Sequence, residues 1–258
     1  MSVELNYKVF GEGEPVIILH GLFGMLDNWQ TFAKLLAENY MVYIVDQRDH
    51  GKSPHTEEFS YHLLANDLHE FMTSQWIYEA RLIGHSMGGK TVMQFADEYP
   101  DMVEQMVVVD IAPVKYKAGH NDVFDALFAI DIDKLSDRKQ AESILAQYIS
   151  EDGVRQFLMK NLQRRKEGGY RWKMNLELLY KEYQNILSGI GPSKNDVDAL
   201  FISGGLSDYI DDNAKEAINA KYSHVNTVTI ADAGHWVHAQ KPRELLEIVN
   251  TYFNKEKA

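Results

Sequence analysis

Ser86 sits in Gly84-His85-Ser86-Met87-Gly88-Gly89, and no other stretch of this chain is better suited to covalent chemistry. A serine hydroxyl is a poor nucleophile unless it is exposed, held rigidly and given a base. Arg81 to Ile83 reads as a short buried strand and Thr91 to Tyr99 takes helical spacing, so the serine falls on a tight strand-to-helix turn. Glycines at Gly84 and Gly88 let the flanking strand and helix approach, and the helix start aims N–H groups at an anion forming there. The same serine is also a favoured helix cap, so its neighbours decide its meaning. Ligands of open α/β sheets gather at the carboxyl ends of strands. Reactive side chains that directly follow strand-like runs are His20, Asp46, Ser86, Asp110, Ser207 or Asp208, and His235. They supply a nucleophile, a carboxylate and a base in the order Ser, Asp, His, which is what acyl transfer through a serine requires.

The elements that must position these groups follow from periodicity. Val3 to Phe10 alternates as a half-buried strand, and Gly11 to Pro15 is its turn. Val16 to Leu19 is a continuous apolar run, read as a central strand; Met41 to Val45 reads as the next buried strand, and Val103 to Val109, apolar but for Glu104 and Gln105, as another. Helical spacing covers Asp27 to Tyr40 and about Tyr61 to Ser74. From Val114 to about Asn195 no buried-strand run occurs, and Val123 to Ile130, Lys139 to Ile149, Val154 to Arg165 and Asn175 to Leu187 pattern as amphipathic helices. Strand character resumes at Ala199 to Ser203 and Asn226 to Ile230, with helices near Asp211 to Lys221 and Pro242 to Phe253. Alternating strands and helices predict an α/β fold, a mostly parallel sheet with helices on both faces. The predicted core is 1–113 with 196–258, and 114–195 is an inserted helical cap.

Composition narrows the partners. The chain has 258 residues, 45% of them hydrophobic, and 38 acidic against 26 basic side chains give a net charge of −12. That charge repels nucleic acid and anionic membrane surfaces. No cysteine is present, which removes thiolate chemistry and is compatible with a reducing compartment. The N-terminal residues lack a basic-then-apolar signal, and no run nears the ~20 apolar residues of a membrane span, so a cytoplasmic location is expected. Neither a His-Glu-x-x-His pattern nor a glycine-rich phosphate loop occurs, so no metal and no cofactor is expected. The His62 and His69 pair reads as a solvated helix face, and Arg164-Arg165-Lys166 as a solvated helix end.

His20-Gly-Leu-Phe-Gly24, Asp46-Gln-Arg-Asp-His-Gly-Lys-Ser53, the Ser86 turn, Val107-Val-Val-Asp-Ile-Ala-Pro113 and Ala233-Gly-His-Trp-Val-His238 together resemble the α/β-hydrolase superfamily, most of all its small bacterial carboxylesterase branch. The resemblance covers Val16 to Ala112 and Ala199 onward; the 114–195 block is similar only in length and placement. It implies Ser86 as nucleophile and His235 as base, with backbone N–H groups of Leu22 and Met87 binding the oxyanion and Phe23 and Trp236 lining the substrate pocket. It also implies structural roles for His20, Asp46, Arg48 and His50, and packing or solvent for His238. Asp49 replaces a more familiar Asn or Gly. The commonest pattern of the superfamily puts the acid in a Gly-x-x-Asp turn, where counting from Gly204 reaches Ser207, with Asp208 next. Asp110 is favoured over Asp208, because a one-residue shift re-aims a side chain.

The expected function is a serine carboxylic-ester hydrolase that works through an acyl-enzyme on small or medium acyl esters. A thioesterase, a carbon–carbon bond hydrolase or a lyase would show the same motifs, as would a silent ligand-binding member of the fold. A small-molecule ester or thioester partner and a monomer or homodimer complete the expectation. Phe124, Phe128, Leu158, Trp172 and Met174 of the 114–195 block are read mainly as its own core.

Overall fold

A computed structural model describes residues 1–191 and 193–254. In chain order the strands are β1 (Tyr7–Phe10), β2 (Pro15–Leu19), β3 (Met41–Val45), β4 (Ala80–His85), β5 (Val103–Val109), β6 (Leu162–Arg164), β7 (Tyr170–Trp172), β8 (Ala199–Gly204) and β9 (Val225–Ile230). The helices are α1 (Gln30–Leu36), α2 (Tyr61–Ser74), α3 (Met87–Glu98), α4 (Asn121–Phe128), α5 (Arg138–Leu145), α6 (Asp152–Met159), α7 (Leu176–Lys181), α8 (Tyr183–Ile186), α9 (Asp212–Lys221), α10 (Val237–Gln240) and α11 (Pro242–Phe253).

One sheet has the order β1-β3-β2-β4-β5-β8-β9, parallel throughout except for the antiparallel edge pair β1 and β3. Its central strands are apolar on both faces because both are covered, as parallel sheets demand. Val16 and Ile18 of β2 face the layer holding α1 and α11, while Ile17 and Leu19 face the layer of α2 and α3. This is the two-residue period of a strand written into two separate cores. Each fully buried aliphatic side chain there contributes about 1.5–3 kcal/mol.

The N-terminal strand is shorter than alternation predicts. Val3 to Asn6 stays outside the sheet because its N–H groups find side chains instead: Val3 donates to Asp67 (2.9 Å) and Asn6 to Ser53 (2.9 Å). The predicted Asp27 to Tyr40 helix is a 3-10 turn at Leu26–Asn28 followed by α1. α2, α9 and α11 match their predicted spans within a residue, whereas α3 begins at Met87, one turn before the predicted Thr91, and the short α10 has no counterpart in the periodicity.

Between β5 and β8 the chain leaves the sheet, and here the all-helical expectation is corrected. The predicted helix Val154 to Arg165 ends at Met159, and β6 pairs antiparallel with β7. Arg164, Arg165 and Lys166 therefore sit exposed at a hairpin, not at a helix end; Gly168 and Gly169, both at positive φ, make the turn. Asn175 to Leu187 is likewise two short helices, α7 and α8. Phe124, Leu158 and Met174 are buried in the same apolar cluster as α2 and α3, Trp172 packs against it, and Phe128 is exposed.

Candidate active site

Ser86 is the single residue between β4 and α3, at φ 52° and ψ −119°. Non-glycine residues hold such backbone angles only under constraint. A Cβ on Gly84 would lie 2.3 Å from the Gly88 carbonyl oxygen, and one on Gly88 would lie 2.4 Å from the Leu19 carbonyl oxygen. Strand, turn and helix thus meet backbone to backbone, which only glycine permits. The Ser86 N–H donates to Val109 O (3.1 Å), tying the turn to the neighbouring strand.

Asp110 stands at the end of that strand, fully buried and at φ 53°. Its Oδ2 accepts from His235 Nδ1 (2.8 Å) and from the Ser207 hydroxyl, and its Oδ1 accepts from Gly204 N–H (2.9 Å). Three donors converge on one carboxylate, so His235 carries its hydrogen on Nδ1 and keeps the Nε2 lone pair free to take a proton. Asp208, the other candidate acid, is exposed and lines a cavity without a hydrogen bond to His235. Ser207, at the place where the Gly-x-x-Asp pattern would put the acid, thus has its hydroxyl on the Asp110 carboxylate. The Tyr209 ring stacks on His235 (centroids 4.0 Å, 16°), a contact that motif reading did not anticipate.

The His20 to Gly24 loop reaches the same place. A Cβ on Gly21 would be 3.1 Å from Ser86 Cβ, so the loop lies against the serine. Its turn closes through Gly24 N–H to Gly21 O (2.9 Å). His20 holds it: Gln47 N–H donates to Nε2 (3.0 Å), which leaves Nδ1–H to donate to Gly21 O (2.8 Å). Leu22 lines the same cavity as Ser86, and Met87 opens α3, where a first-turn N–H has no intrahelical partner. Phe23 and Trp236 both line the cavity beside His235.

Two cavities meet here. The larger, about 720 Å³, runs past Lys90, Tyr116, Tyr183 and Asp208. The smaller, about 260 Å³, is walled by Phe23, Trp29, Phe157, Leu158 and Trp236. Leu22, Ser86, His120 and Tyr209 border both. Among the described residues no group of three His, Asp or Glu side chains is gathered that could hold a metal ion, and no helix is long and apolar enough to cross a membrane.

The loop after β3 bears on the site from behind. Asp46 accepts from Leu26 N–H (2.7 Å) and Lys52 N–H (2.9 Å), and Arg48 pairs with buried Asp67 (2.6 Å). Asp49 stands at φ 64° and accepts from the Thr56 N–H (2.6 Å), the Thr56 hydroxyl (2.8 Å) and the Asn175 amide (2.9 Å). Every partner is a donor, which explains an aspartate where an asparagine is more familiar. Lys90, one turn after Ser86, donates to the carbonyls of Leu187 (3.2 Å) and Ser188, and burial pushes its ammonium down to about 7. His62 is exposed beside Glu98, and His69 stacks on Tyr99 (4.4 Å), both away from the site.

Burial lowers several histidines: His20 to about 4, His50 to about 3 and His238 to about 3, the last stacked on Trp29 at 4.2 Å. Each is neutral in the fold, whereas the unfolded chain protonates below about 6.5, so the unfolded state binds more protons under that value. The contribution of these histidines to stability is therefore expected to be constant above pH 6.5 and to fall as pH drops toward 4, by up to about 1.4 kcal/mol per pH unit for each histidine, separate from the loss that buried Lys90 brings as pH falls toward 7. Urea midpoints measured at pH 8, 6.5, 5 and 4 check this, and a profile flat down to pH 4 excludes it. His238→Phe is expected to shallow the slope.

A mostly parallel sheet with a serine on a strained strand-to-helix turn, lining one cavity with a histidine held by a buried aspartate, defines the α/β-hydrolase class. A family model described as alpha/beta hydrolase fold matches residues 14–242, and the chain belongs to that family. Esterase YbfF of Escherichia coli (strain K12) is 37% identical over 241 residues, 93% of either chain. An sn-1-specific diacylglycerol lipase ABHD11 of Danio rerio is 35% identical over 269 residues, 97% of this chain and 82% of that one. The solved structure of a marine microorganism esterase superposes with a TM-score of 0.95 at 43% identity, covering 97% of this chain and all (100%) of that one.

Proposed function

We propose that this ester-hydrolysing chain is a serine carboxylic-ester hydrolase acting through an acyl-enzyme on small or medium acyl esters. The observation that carries the mechanism is the 2.8 Å hydrogen bond from His235 to the fully buried Asp110 carboxylate, beside a cavity that Ser86 also borders. In this reading Ser86 Oγ attacks the ester carbon and His235 Nε2 takes its proton, then returns it to the departing alcohol. Asp110 holds the imidazole tautomer, and the N–H groups of Leu22 and Met87 bind the oxyanion, each worth about 3 kcal/mol of barrier. Water activated by the same histidine releases the acid, with no metal or organic cofactor in any step.

The 114–195 segment acts in this proposal as a cap, since its residues line nearly half of the larger cavity and part of the smaller. Esterase-named relatives that align over most of their length support the ester substrate. The reading extends to a cytoplasmic monomer or homodimer, in keeping with the acidic, cysteine-free composition. A panel of short-chain nitrophenyl esters, acyl thioesters and diketone acids tests it, run beside labelling by a fluorophosphonate. The esters are expected to give the highest kcat/KM, with the probe attached at Ser86. A clear preference for thioesters or for carbon–carbon cleavage would replace the ester assignment, and an unlabelled Ser86 would leave a binding protein.

A further inference from the structure

His120 is the N-cap residue of α4 and belongs to none of the motifs above. With Leu22, Ser86 and Tyr209 it is one of the residues that border both cavities. Its protonation pattern is fixed by one neighbour. The Tyr183 hydroxyl oxygen accepts from Gly119 N–H (3.2 Å) and from His120 N–H (3.1 Å), which occupies both of its lone pairs. Its hydrogen is then left for His120 Nδ1, 2.6 Å away. With Nδ1 an acceptor, the neutral ring carries its hydrogen on Nε2, and burial keeps the ring neutral by lowering it to about 4. Among the described residues Nε2 has no hydrogen-bond partner, while the Phe23 ring stands edge-on at 6.1 Å and helps orient the imidazole. A pre-oriented neutral donor is thus offered at the junction of the cavities.

Few substrate atoms can lie at that junction. If the acyl chain fills one cavity and the leaving group the other, what crosses between them beside Ser86 is the carbonyl carbon, its oxygen and the bridging atom. The carbonyl oxygen is taken by the Leu22 and Met87 N–H groups. The acyl carbon cannot accept a hydrogen bond, so only the bridging atom is left for a further donor.

We propose that His120 determines specificity by donating its Nε2–H to the bridging oxygen of the ester, favouring oxygen esters over thioesters. The inference rests on the serine-hydrolase reading above. During acylation Ser86 Oγ bonds to the acyl carbon as its proton passes to His235, the bond from that carbon to the bridging oxygen breaks with its electron pair going to the oxygen, and His235 delivers the proton there. His120 keeps its own proton throughout and contributes a hydrogen bond that strengthens as charge grows on that oxygen. A thioester presents sulfur, a weak acceptor, in the same place and gains little.

The test compares phenyl butanoate with S-phenyl thiobutanoate, which share acyl and aryl groups. His120→Leu is expected to lower the ester-to-thioester ratio of kcat/KM roughly tenfold, the worth of one hydrogen bond made to developing charge. His120→Gln, which keeps an N–H donor, is expected to recover part of the ratio. Tyr183→Phe keeps the ring but removes the hydrogen that fixes its tautomer, and is expected to lower the ratio several-fold even if His120→Leu folds poorly. An unchanged ratio, or equal losses on both substrates, overturns the proposal. Fluorophosphonate labelling of Ser86 in the unaltered protein separates the two readings: absence of labelling there defeats the serine-hydrolase mechanism itself.

Discussion

Ser86→Ala is expected to lower kcat for nitrophenyl ester hydrolysis by about five to six powers of ten, leaving only what the oxyanion donors and binding supply. The size of the loss follows from the position. No other hydroxyl shares the strained turn between β4 and α3, and the backbone there is fixed by Gly84 and Gly88, so no neighbouring side chain can swing in as substitute. Steady-state rates, with active-site titration to account for contaminating wild-type enzyme, measure it. Retention of the wild-type rate would remove Ser86 from the mechanism. Folding should be little affected, because the hydroxyl makes no hydrogen bond that caps α3.

Asp110→Asn is expected to cost about three to four powers of ten in kcat, and Asp208→Asn far less. The carboxylate accepts from His235, Ser207 and Gly204. An amide offers one acceptor oxygen in place of two, and its NH₂ must meet at least one of those donors. The cheapest escape is for the imidazole to present a bare Nδ1 and move its hydrogen to Nε2, which destroys the base. Asp208 is exposed and holds no such bond, so neutralising it should change the charge of one cavity wall and little else. Rates for both variants on one ester decide the matter, and the reverse ranking would reassign the acid.

Much of this was legible in the residues alone. A serine crowded by glycines between an apolar run and a helical one can fold locally in few ways, and Asp110 is the first polar residue after Val103 to Val109. The choice between Asp110 and Asp208 was not legible to the same degree, because it depends on whether β5 or the turn after β8 aims a side chain at His235. The 114–195 block resisted most. Gly168 and Gly169 carry the hairpin signal, yet the three-residue strands beside them are too short for alternation to stand out from helical spacing. His120, Lys90 and Tyr209 reach the site through tertiary paths, which periodicity along the chain does not encode. The reason for an aspartate at 49 lies in donors that the fold brings from Thr56 and Asn175, the second of them distant in the chain.

The same Asp49 bears on how this enzyme diversifies. Asn175 donates its backbone N–H to Asp49 O (2.8 Å) and its amide to Asp49 Oδ1, Asn161 donates its amide to Phe23 O (2.8 Å), and Lys90 grips the carbonyls after α8. Tyr116 adds a further joint, accepting from Ala112 N–H (2.9 Å) and donating to Tyr209 O (2.7 Å). A segment transplanted from a relative would need Asn175 and Asp49 to travel as a pair, since an asparagine at 49 would lose one of its carboxylate acceptors. These hydrogen bonds, which lie outside the triad, are what any exchange of the 114–195 segment would have to preserve.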